Sequence, residues 1–340
     1  MLKVGIVGAT GYTGEKLIDI LLSHPEVRIT YLSAKIEKAQ KVADIFAHFN
    51  GKINLICDNF DLEKASSLCD LIFLAVPHTI SMLFAPELLK RNKTVIDLSA
   101  DYRLKDSAEY KTWYGTAHKD KKNIENAIYG LPELYREKIK KAKLIANPGC
   151  YPTAAILALA PALTAEIIDL KSIIIDAKSG LTGAGRKASI DFFFSEVNEN
   201  LKAYKINAHQ HMPEINQEIS NLAQKKITTI FIPHLVPMDR GILETIYIKL
   251  KESKPEKDII KIYKKFYKTE PFVRVHDEGK FPQTKDVLDL NCCDICLRVC
   301  EEKKTLMIVA AIDNLMKGAA SQAVQNMNIA CGFREDAGLK

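Results

Sequence analysis

Cys150 carries the clearest chemical signature in the sequence, because it lies in a constrained turn, Asn-Pro-Gly-Cys-Tyr-Pro-Thr, at residues 147–153. The apolar run 144–146 before this turn predicts a strand. The Ala/Leu-rich run 154–160 after it predicts a helix with Pro152 near its first position. Unpaired N–H groups and the positive end of a helix dipole at that point favour thiolate over thiol and stabilise an oxyanion. We interpret Cys150 as a candidate nucleophile; the alternative is a small buried cysteine, which needs no such turn.

A nucleophilic cysteine of this kind needs a partner that exchanges protons near neutral pH. The segment His-Gln-His-Met-Pro-Glu at 209–214 supplies two imidazoles just before a predicted helix start, so His209 and then His211 are candidate acid/base residues. A metal interpretation of His-x-His lacks an obvious third and fourth ligand, and we expect no metal. The alternative for either histidine is ordinary hydrogen bonding.

Several residues have the chemistry to hold an anionic substrate. The segment Ser-Gly-Leu-Thr-Gly-Ala-Gly-Arg at 179–186 combines accessible glycine N–H groups with an arginine, and two further arginines follow strand ends. The candidate substrate residues are Arg103, Ser179, Gly180, Arg186 and Arg240. Surface salt bridges and a plain flexible loop are the alternatives for these positions.

The amino terminus has the pattern of a dinucleotide cradle. A short buried strand at 2–7, a glycine-rich turn at 8–14 and a helix at 15–22 follow one another directly. Glycines in such a turn let the backbone approach a pyrophosphate that sits at the helix N-terminus. The spacing is GxxGxxG rather than the commoner GxGxxG, and the candidate cofactor residues are Gly8, Thr10, Gly11, Tyr12, Thr13 and Gly14.

The end of the second predicted strand, residues 27–32, indicates which dinucleotide is bound. NAD enzymes place an Asp or Glu near this position, whereas Ser33 and Lys35 stand here. A carboxylate would repel a 2′-phosphate, and a hydroxyl with a cation attracts one. These residues favour NADP(H); the alternative is an exposed loop lysine.

The arrangement of predicted elements indicates two domains. Further apolar strands at 70–76 and 94–98 extend a parallel α/β pattern as far as Cys150. Strands at 172–177, 228–232, 242–250, 289–300 and 305–312 then follow with few helices between them, which predicts a largely antiparallel sheet. We expect a Rossmann-type α/β domain over 1–149, completed by a C-terminal helical segment 314–340, and an α+β catalytic domain over 150–313. Residues 105–122 are polar and irregular and are interpreted as a surface excursion.

Composition excludes several classes of protein. The net charge of +6 comes from scattered lysines, which favours small anionic substrates over nucleic acid. No apolar run approaches membrane-spanning length and a strand pattern begins at once, so we expect a cytoplasmic location without a membrane partner. The eight cysteines have irregular spacing, typical of reduced thiols. Cys292, Cys293, Cys296 and Cys300 alternate along one strand, which favours sheet packing over a zinc site.

Together these segments resemble one family, the N-acetyl-gamma-glutamyl-phosphate reductases, relatives of aspartate-semialdehyde dehydrogenase. The resemblance spans nearly the whole chain and is most specific at Gly-Cys-Tyr-Pro-Thr; it also includes 99–103, 129–134, 179–186, 209–215, 233–241 and 313–320. It implies that Cys150 is the nucleophile, that one of His209 and His211 is the acid/base, and that Asn314 lies near the nicotinamide. Many members carry an arginine after the serine of the second strand, where Ala34 and Lys35 stand here.

The resemblance also implies an activity. The family carries out NADPH-dependent reduction of N-acetyl-L-glutamyl 5-phosphate to N-acetyl-L-glutamate 5-semialdehyde, with release of phosphate through a cysteine thioester, in arginine biosynthesis. It further implies a homodimer or homotetramer. Two alternatives stay open: reduction of another acyl phosphate, such as aspartyl or carrier-linked aminoadipyl phosphate, and a dinucleotide-binding redox sensor. A sensor usually needs an accessible resolving cysteine, and the other cysteines lie in strand or helix patterns.

Overall fold

Apolar residues at consecutive or alternate positions form the strands of two separate sheets, one in each of two units of the chain. The computed structural model describes residues 1–186 and 188–339. Unit 1 contains residues 1–148 and the described residues from Ala319 onward, and unit 2 contains Gly149–Gly318. The chain therefore passes from unit 1 into unit 2 one residue before Cys150 and returns after Gly318.

Unit 1 is built from short buried strands joined by helices. Its strands are β1 (Leu2–Val7), β2 (Val27–Ser33), β3 (Gln40–Lys41), β4 (Ile56–Asp58), β5 (Leu71–Leu74), β6 (Thr94–Asp97), β7 (Ile128–Tyr129) and β8 (Leu144–Ala146). Its helices are α1 (Tyr12–Leu22), α2 (Val42–Ile45), α3 (Leu62–Leu68), α4 (Ser81–Lys90), α5 (Ser107–Tyr114), α6 (Lys121–Asn126), α7 (Pro132–Ile139) and, after the return of the chain, α12 (Ala320–Cys331).

The sheet of unit 1 has the order β3-β4-β2-β1-β5-β6-β8-β7, and its pairings are parallel except for β3 with β4. Strand β5 is buried along its whole length, as expected for a parallel sheet with both faces covered. Helix α12 packs on α1 and α7. The carboxyl ends of β1, β2, β6 and β8 carry the turns that the sequence marked as functional.

Unit 2 contains helices α8 (Cys150–Thr164), α9 (Phe194–Val197), α10 (Met212–Ala223) and α11 (Glu256–Phe266). Its strands are β9 (Ile174–Ser179), β10 (Lys202–Ala203), β11 (Ile230–Leu235), β12 (Ile242–Lys249), β13 (Val273–Val275), β14 (Cys293–Cys300) and β15 (Thr305–Ile312). Short 3-10 turns lie at Ala47–Phe49 in unit 1 and at Leu181–Ala184, Ile190–Phe192 and Thr284–Val287 here.

The sheet of unit 2 has the order β10-β11-β9-β12-β15-β14-β13, and most of its pairings are antiparallel. Side chains on β12 alternate between buried and more exposed positions, so one face of the sheet is covered and the other is open. Helix α8 packs against β12, β14 and β15 and against α10 and α11. Its small alanines allow this close packing, and from Tyr151 to Leu163 every residue of the helix is buried.

This architecture confirms the predicted fold class, an α/β nucleotide-binding unit and an α+β unit with a largely antiparallel sheet. The interpretation of 105–122 as a surface excursion was wrong in part, because α5 buries the ring of Tyr110 completely and its hydroxyl donates to Asp101 at 2.6 Å. Strand β14 begins at Cys293 rather than 289, since Asp289 has a left-handed backbone with φ of 59°. Within the described residues no helix is long and apolar enough to cross a membrane.

Candidate active site

Cys150 is the first residue of α8 and is only partly buried. Gly149 precedes it in an extended conformation, and in this part of the structure no side chain caps the first turn of the helix. The thiol therefore lies in the field of the helix N-terminus, where the dipole favours the thiolate. Gly318 lies against it, since a Cβ added to Gly318 would come 2.8 Å from the Cβ of Cys150.

A buried carboxylate holds the backbone next to this cysteine. Glu214, which is 1% exposed, accepts a hydrogen bond from the Gly149 N–H at 2.8 Å. It lies in the first turn of α10, with proline at the start of that helix. Sequence reasoning assigned no role to Glu214; the Pro-Glu pair directly after the two histidines was the available signal.

The two candidate histidines lie together beside the residue that follows the cysteine. The imidazole of His209 is 4.8 Å from that of His211 and 5.4 Å from the ring of Tyr151, measured between centroids. His211 donates its backbone N–H to Nδ1 of His209 at 3.0 Å, and the Tyr204 hydroxyl lies 3.4 Å from Nε2. Unit 2 thus brings the histidine segment to the cysteine turn.

The segment 179–186 forms a tight loop at the end of β9. Ser179 is buried and donates its hydroxyl to the Gly180 carbonyl oxygen at 2.9 Å. A Cβ on Gly180 would lie 2.8 Å from the backbone N of Arg240, so only glycine fits this close approach. Arg186 is exposed, and the next residue lies outside the described residues. Substrate contact by Ser179, Gly180 and Arg186 stays a prediction.

Arg240 and Asn314 hold the turn that contains Gly318. The Arg240 guanidinium donates to Asp313 at 2.5 Å and to Asp289 at 2.9 Å, and Asp313 is fully buried. The Asn314 amide accepts from the Gly241 N–H at 2.7 Å and donates to the Thr182 hydroxyl at 3.0 Å. Both side chains therefore have structural partners, and their contacts with substrate and cofactor stay predictions.

The glycine turn of unit 1 packs so closely that a side chain is excluded at two of its glycines. Gly8 has a φ of 94°, and a Cβ there would lie 2.0 Å from the Ala75 carbonyl oxygen. A Cβ on Gly14 would lie 2.2 Å from the Gly8 carbonyl oxygen. Gly11 precedes α1 and, in the described structure, no side chain caps that helix. Thr10 lies in the turn, whereas Tyr12 and Thr13 are the first two residues of α1, which begins three residues before the predicted start at residue 15. Contact of these residues with a nicotinamide dinucleotide through backbone N–H groups stays a prediction.

The two residues expected to bind a 2′-phosphate differ in accessibility. Ser33 is fully buried, and its carbonyl oxygen accepts the N–H groups of Gly8 and Ala9 at 2.7 and 2.9 Å. Lys35 is exposed. The cation is accessible to a ligand and the hydroxyl is enclosed, and contact of either residue with a phosphate stays a prediction.

Arg103 is buried within unit 1 and braces the strand that leads to the cysteine turn. Its guanidinium donates to the carbonyl oxygens of Asn147 and Leu98, both at 2.8 Å, and the residue is 4% exposed. Asn147 also accepts from the Asn326 amide at 3.0 Å. The role of Arg103 as a substrate anchor stays a prediction, since these partners are structural.

No group of three or more residues that could hold a metal ion occurs in residues 1–186 and 188–339. Cys292, Cys293 and Cys296 are buried and Cys300 is partly buried. None of the cysteines forms a disulfide in this described part of the chain.

Comparison with known proteins first defines the class. Residues 3–142 match the model of the semialdehyde dehydrogenase NAD-binding domain, and residues 150–314 match that of the semialdehyde dehydrogenase dimerisation domain. Among solved structures, aspartate semialdehyde dehydrogenase II of Vibrio cholerae in complex with ASA superposes with a TM-score of 0.74 and 18% identity, covering 98% of both chains. The Candida albicans aspartate semialdehyde dehydrogenase with NADP gives 0.72 and 16%, covering 97% of this chain and 98% of that one. The chain has the fold of a semialdehyde dehydrogenase-type oxidoreductase that binds a nicotinamide dinucleotide.

Sequence relatives then define the family. The N-acetyl-gamma-glutamyl-phosphate reductase of Desulforamulus reducens is 47% identical over 339 residues, and that of Pelobacter propionicus is 49% identical over 340. The Campylobacter jejuni enzyme of the same name is 48% identical over 339 residues. Each alignment covers 100% of this chain and 98% of the relative. The chain belongs to the N-acetyl-gamma-glutamyl-phosphate reductase family, which confirms the resemblance found in its motifs.

Proposed function

We propose that this protein reduces N-acetyl-L-glutamyl 5-phosphate to N-acetyl-L-glutamate 5-semialdehyde and releases phosphate, a step of arginine biosynthesis. The observation that carries the proposal is the position of Cys150 as the first residue of α8, with a pair of histidines beside it. The names of full-length relatives at 47–49% identity supply the substrate. A reductase of aspartyl or carrier-linked aminoadipyl phosphate would use the same chemistry. The relatives at this level of identity, however, are named N-acetyl-gamma-glutamyl-phosphate reductases.

The reaction begins at the sulfur. The Cys150 thiolate attacks the carbonyl carbon of the acyl phosphate, the bond between that carbon and the phosphate oxygen breaks, and a thioester forms on Cys150 as phosphate leaves. Backbone N–H groups at the start of α8 stabilise the oxyanion, at about 3 kcal/mol per donor by comparison with other acyl-transfer sites. Glu214 keeps that turn in place through the Gly149 N–H.

The second half of the reaction converts the thioester into an aldehyde. A reduced nicotinamide dinucleotide, when bound, would supply the hydride that adds to the carbonyl carbon of the thioester. Cys150 then leaves as a thiolate when the tetrahedral thiohemiacetal collapses, so the enzyme returns to its starting state. A histidine holds or transfers the proton at the carbonyl oxygen during this collapse.

We assign that proton transfer to His211 rather than His209. Nδ1 of His209 already accepts the His211 backbone N–H at 3.0 Å. An imidazolium at His209 would point an Nδ1–H at that N–H donor, which is repulsive. His211 lies at the N-cap of α10, beside the ring of Tyr151 at 5.9 Å.

We propose NADP(H) as the form of the cofactor. Lys35 is exposed at the end of β2, and no carboxylate takes its place or that of Ser33. A cation at this point favours the 2′-phosphate, whereas an acidic residue would favour the unphosphorylated ribose. A lower Kd for NADP+ than for NAD+, reversed by Lys35→Glu, supports this assignment.

The protein is expected to work as a homodimer or homotetramer in the cytoplasm. The model matched by unit 2 is named for dimerisation, and one face of its sheet is open. The thiols are unbridged in the described structure, as is typical of proteins in a reducing compartment.

The decisive experiment replaces the nucleophile. Cys150→Ser should lower phosphate-dependent reduction of NADP+ with N-acetylglutamate semialdehyde by at least about 10³-fold, because the alkoxide of serine is far less available than a thiolate. NADP+ binding should stay within about twofold of wild type. Cys300→Ser, a partly buried cysteine on β14, is the matched control and should keep full activity. Full activity in Cys150→Ser, or preference for aspartate semialdehyde, would contradict the proposal.

A further inference from the structure

The surroundings of His209 determine which of its ring nitrogens carries the proton. A backbone N–H can only donate, so the contact of 3.0 Å from the His211 N–H leaves a lone pair on Nδ1. The single proton of the neutral ring is then on Nε2. That nitrogen lies 3.4 Å from the Tyr204 hydroxyl oxygen, which accepts it.

Beyond Tyr204, the hydrogen bonds between hydroxyl groups continue in the same direction from donor to acceptor. The Tyr151 hydroxyl donates to the carbonyl oxygen of His234 at 3.4 Å. Because the Tyr151 proton is engaged by the His234 carbonyl, the Tyr151 oxygen accepts a hydrogen bond from the Tyr204 hydroxyl, also at 3.4 Å. The chain therefore runs from His209 through Tyr204 and Tyr151 to a main-chain carbonyl on β11, and an acceptor-only group terminates it.

Packing keeps these three rings in place. The imidazole of His209 lies edge-on to the rings of Tyr151, Tyr204 and Phe231, at centroid distances of 5.4, 5.5 and 5.6 Å. Burial raises the pKa of Tyr204 to about 12 and also raises the pKa of Tyr151, so both hydroxyls keep their protons across neutral pH. The ring of His209 thus has aromatic walls and a fixed hydrogen-bond partner at each nitrogen.

We propose that Tyr204 and Tyr151 are positioning residues that hold His209 as its neutral Nε2–H tautomer, so that His209 orients the site while His211 exchanges the proton. This inference rests on the proposed function for its kinetic consequence, but the tautomer itself is independent of the substrate. The adjacency of Tyr151 to Cys150 in the chain couples the hydroxyl chain to the start of α8.

The direct test is nitrogen NMR of the enzyme labelled with 15N-histidine, with the His209 signals assigned by their loss in His209→Gln. At pH 8.5, where the imidazole is neutral, His209 should show the Nε2–H pattern. In Tyr204→Phe the proton should redistribute between the two nitrogens. Tyr263→Phe, which removes another buried hydroxyl of unit 2 that donates to the Ala158 carbonyl at 2.8 Å, should leave the His209 signals as they are. A neutral His209 that carries its proton on Nδ1 in the wild type would overturn the proposal.

Kinetics supply the second readout. Tyr204→Phe should lower kcat about 10- to 100-fold with the KM values for NADP+ and phosphate within about twofold, because the reacting groups stay but lose their orientation. Tyr151→Phe should show a smaller loss, and the double variant no more than Tyr204→Phe alone, since both act through one chain. Additive losses, or a change confined to KM, would contradict the coupling. An inactive wild-type enzyme would instead contradict the proposed function and leave the NMR result standing.

Discussion

Around Cys150 the turn is held in place mainly by backbone contacts. Gly149 donates its N–H to the buried carboxylate of Glu214, and Gly318 leaves room for the Cβ of Cys150 by lacking a side chain. Arg240 acts at a distance, by fixing the buried carboxylate of Asp313 in the turn that ends at Gly318. Reactivity at this thiol thus depends on residues that do not themselves react.

Glu244 is a second buried carboxyl, and it has no such partner. It is fully buried on β12, in register with Ala177 and Ala310, and neither oxygen has a hydrogen-bond partner among the described residues. Burial raises the pKa of Glu244 well above its usual value of 4.5. The folded protein therefore keeps a proton that the unfolded chain releases above pH 4.5, and this residue contributes less stability as the pH rises from there.

We predict that Glu244→Met raises the free energy of unfolding by about 1–3 kcal/mol, because it removes an unsatisfied buried polar group. The gain should grow between pH 5 and pH 8, in urea denaturation followed by circular dichroism. Glu244→Gln should also lose the pH dependence but gain little at pH 5, since the amide is still unsatisfied. A gain that is constant with pH would contradict the assignment of the proton to this side chain.

The sequence predicts Cys150, His209 and His211 as candidate catalytic residues from local features, a turn before one helix and two imidazoles before another, and their roles stay predictions. It did not identify Glu214, Tyr204 or Asp313 as functional, since their partners lie far away in the chain and only folding brings them together. The same limit applies to Arg103 and Arg240. The sequence predicts both as anion clamps but does not reveal their protein partners, the Asn147 carbonyl oxygen and the Asp313 carboxylate, and their contacts with substrate stay predictions.

Among the elements, the order of strand, glycine turn and helix at β1 and α1 was predictable because the three are contiguous in sequence, although α1 begins at Tyr12 rather than at residue 15. Helix α5 was missed because the segment is polar and its one fully buried side chain, Tyr110, meets Asp101 nine residues earlier. Local pattern predicts elements that bury a stripe of apolar residues. It fails for short polar helices whose order comes from a single buried contact.

The close packing of the glycine turn makes cofactor binding sensitive to substitution there. Gly14→Ala should raise the Kd for NADP+ at least tenfold, because the new methyl group would lie 2.2 Å from the Gly8 carbonyl oxygen and must displace the backbone. Gly11→Ala, whose methyl group would lie at an ordinary 3.6 Å from the same oxygen, should weaken binding less. Isothermal titration measures both, and the rate of Cys150 alkylation should stay unchanged in each. Equal binding by Gly14→Ala and wild type would show that the turn does not hold the cofactor.

For the whole molecule, we expect the open face of the sheet in unit 2 to form the interface between protomers. Tyr247 on β12 is 37% exposed and pairs in register with Met307 on β15. We predict that Met307→Glu lowers the mass measured by light scattering after size-exclusion chromatography, because a carboxylate cannot be buried cheaply between two apolar faces. Leu83→Glu, on an exposed position of α4, is the control and should keep the wild-type mass. An unchanged mass in Met307→Glu would place the interface elsewhere.

The two points where the chain crosses between the units also have a consequence for how the gene can change. Unit 2 is one uninterrupted segment from Gly149 to Gly318, and its first helical residue touches its last residue. A segment whose ends adjoin can be excised, permuted or exchanged for that of a relative without stretching the flanking polypeptide. Recombination at these two glycines would transfer the thiol and its histidines as a cassette and leave the coenzyme-binding portion of the reading frame as it is.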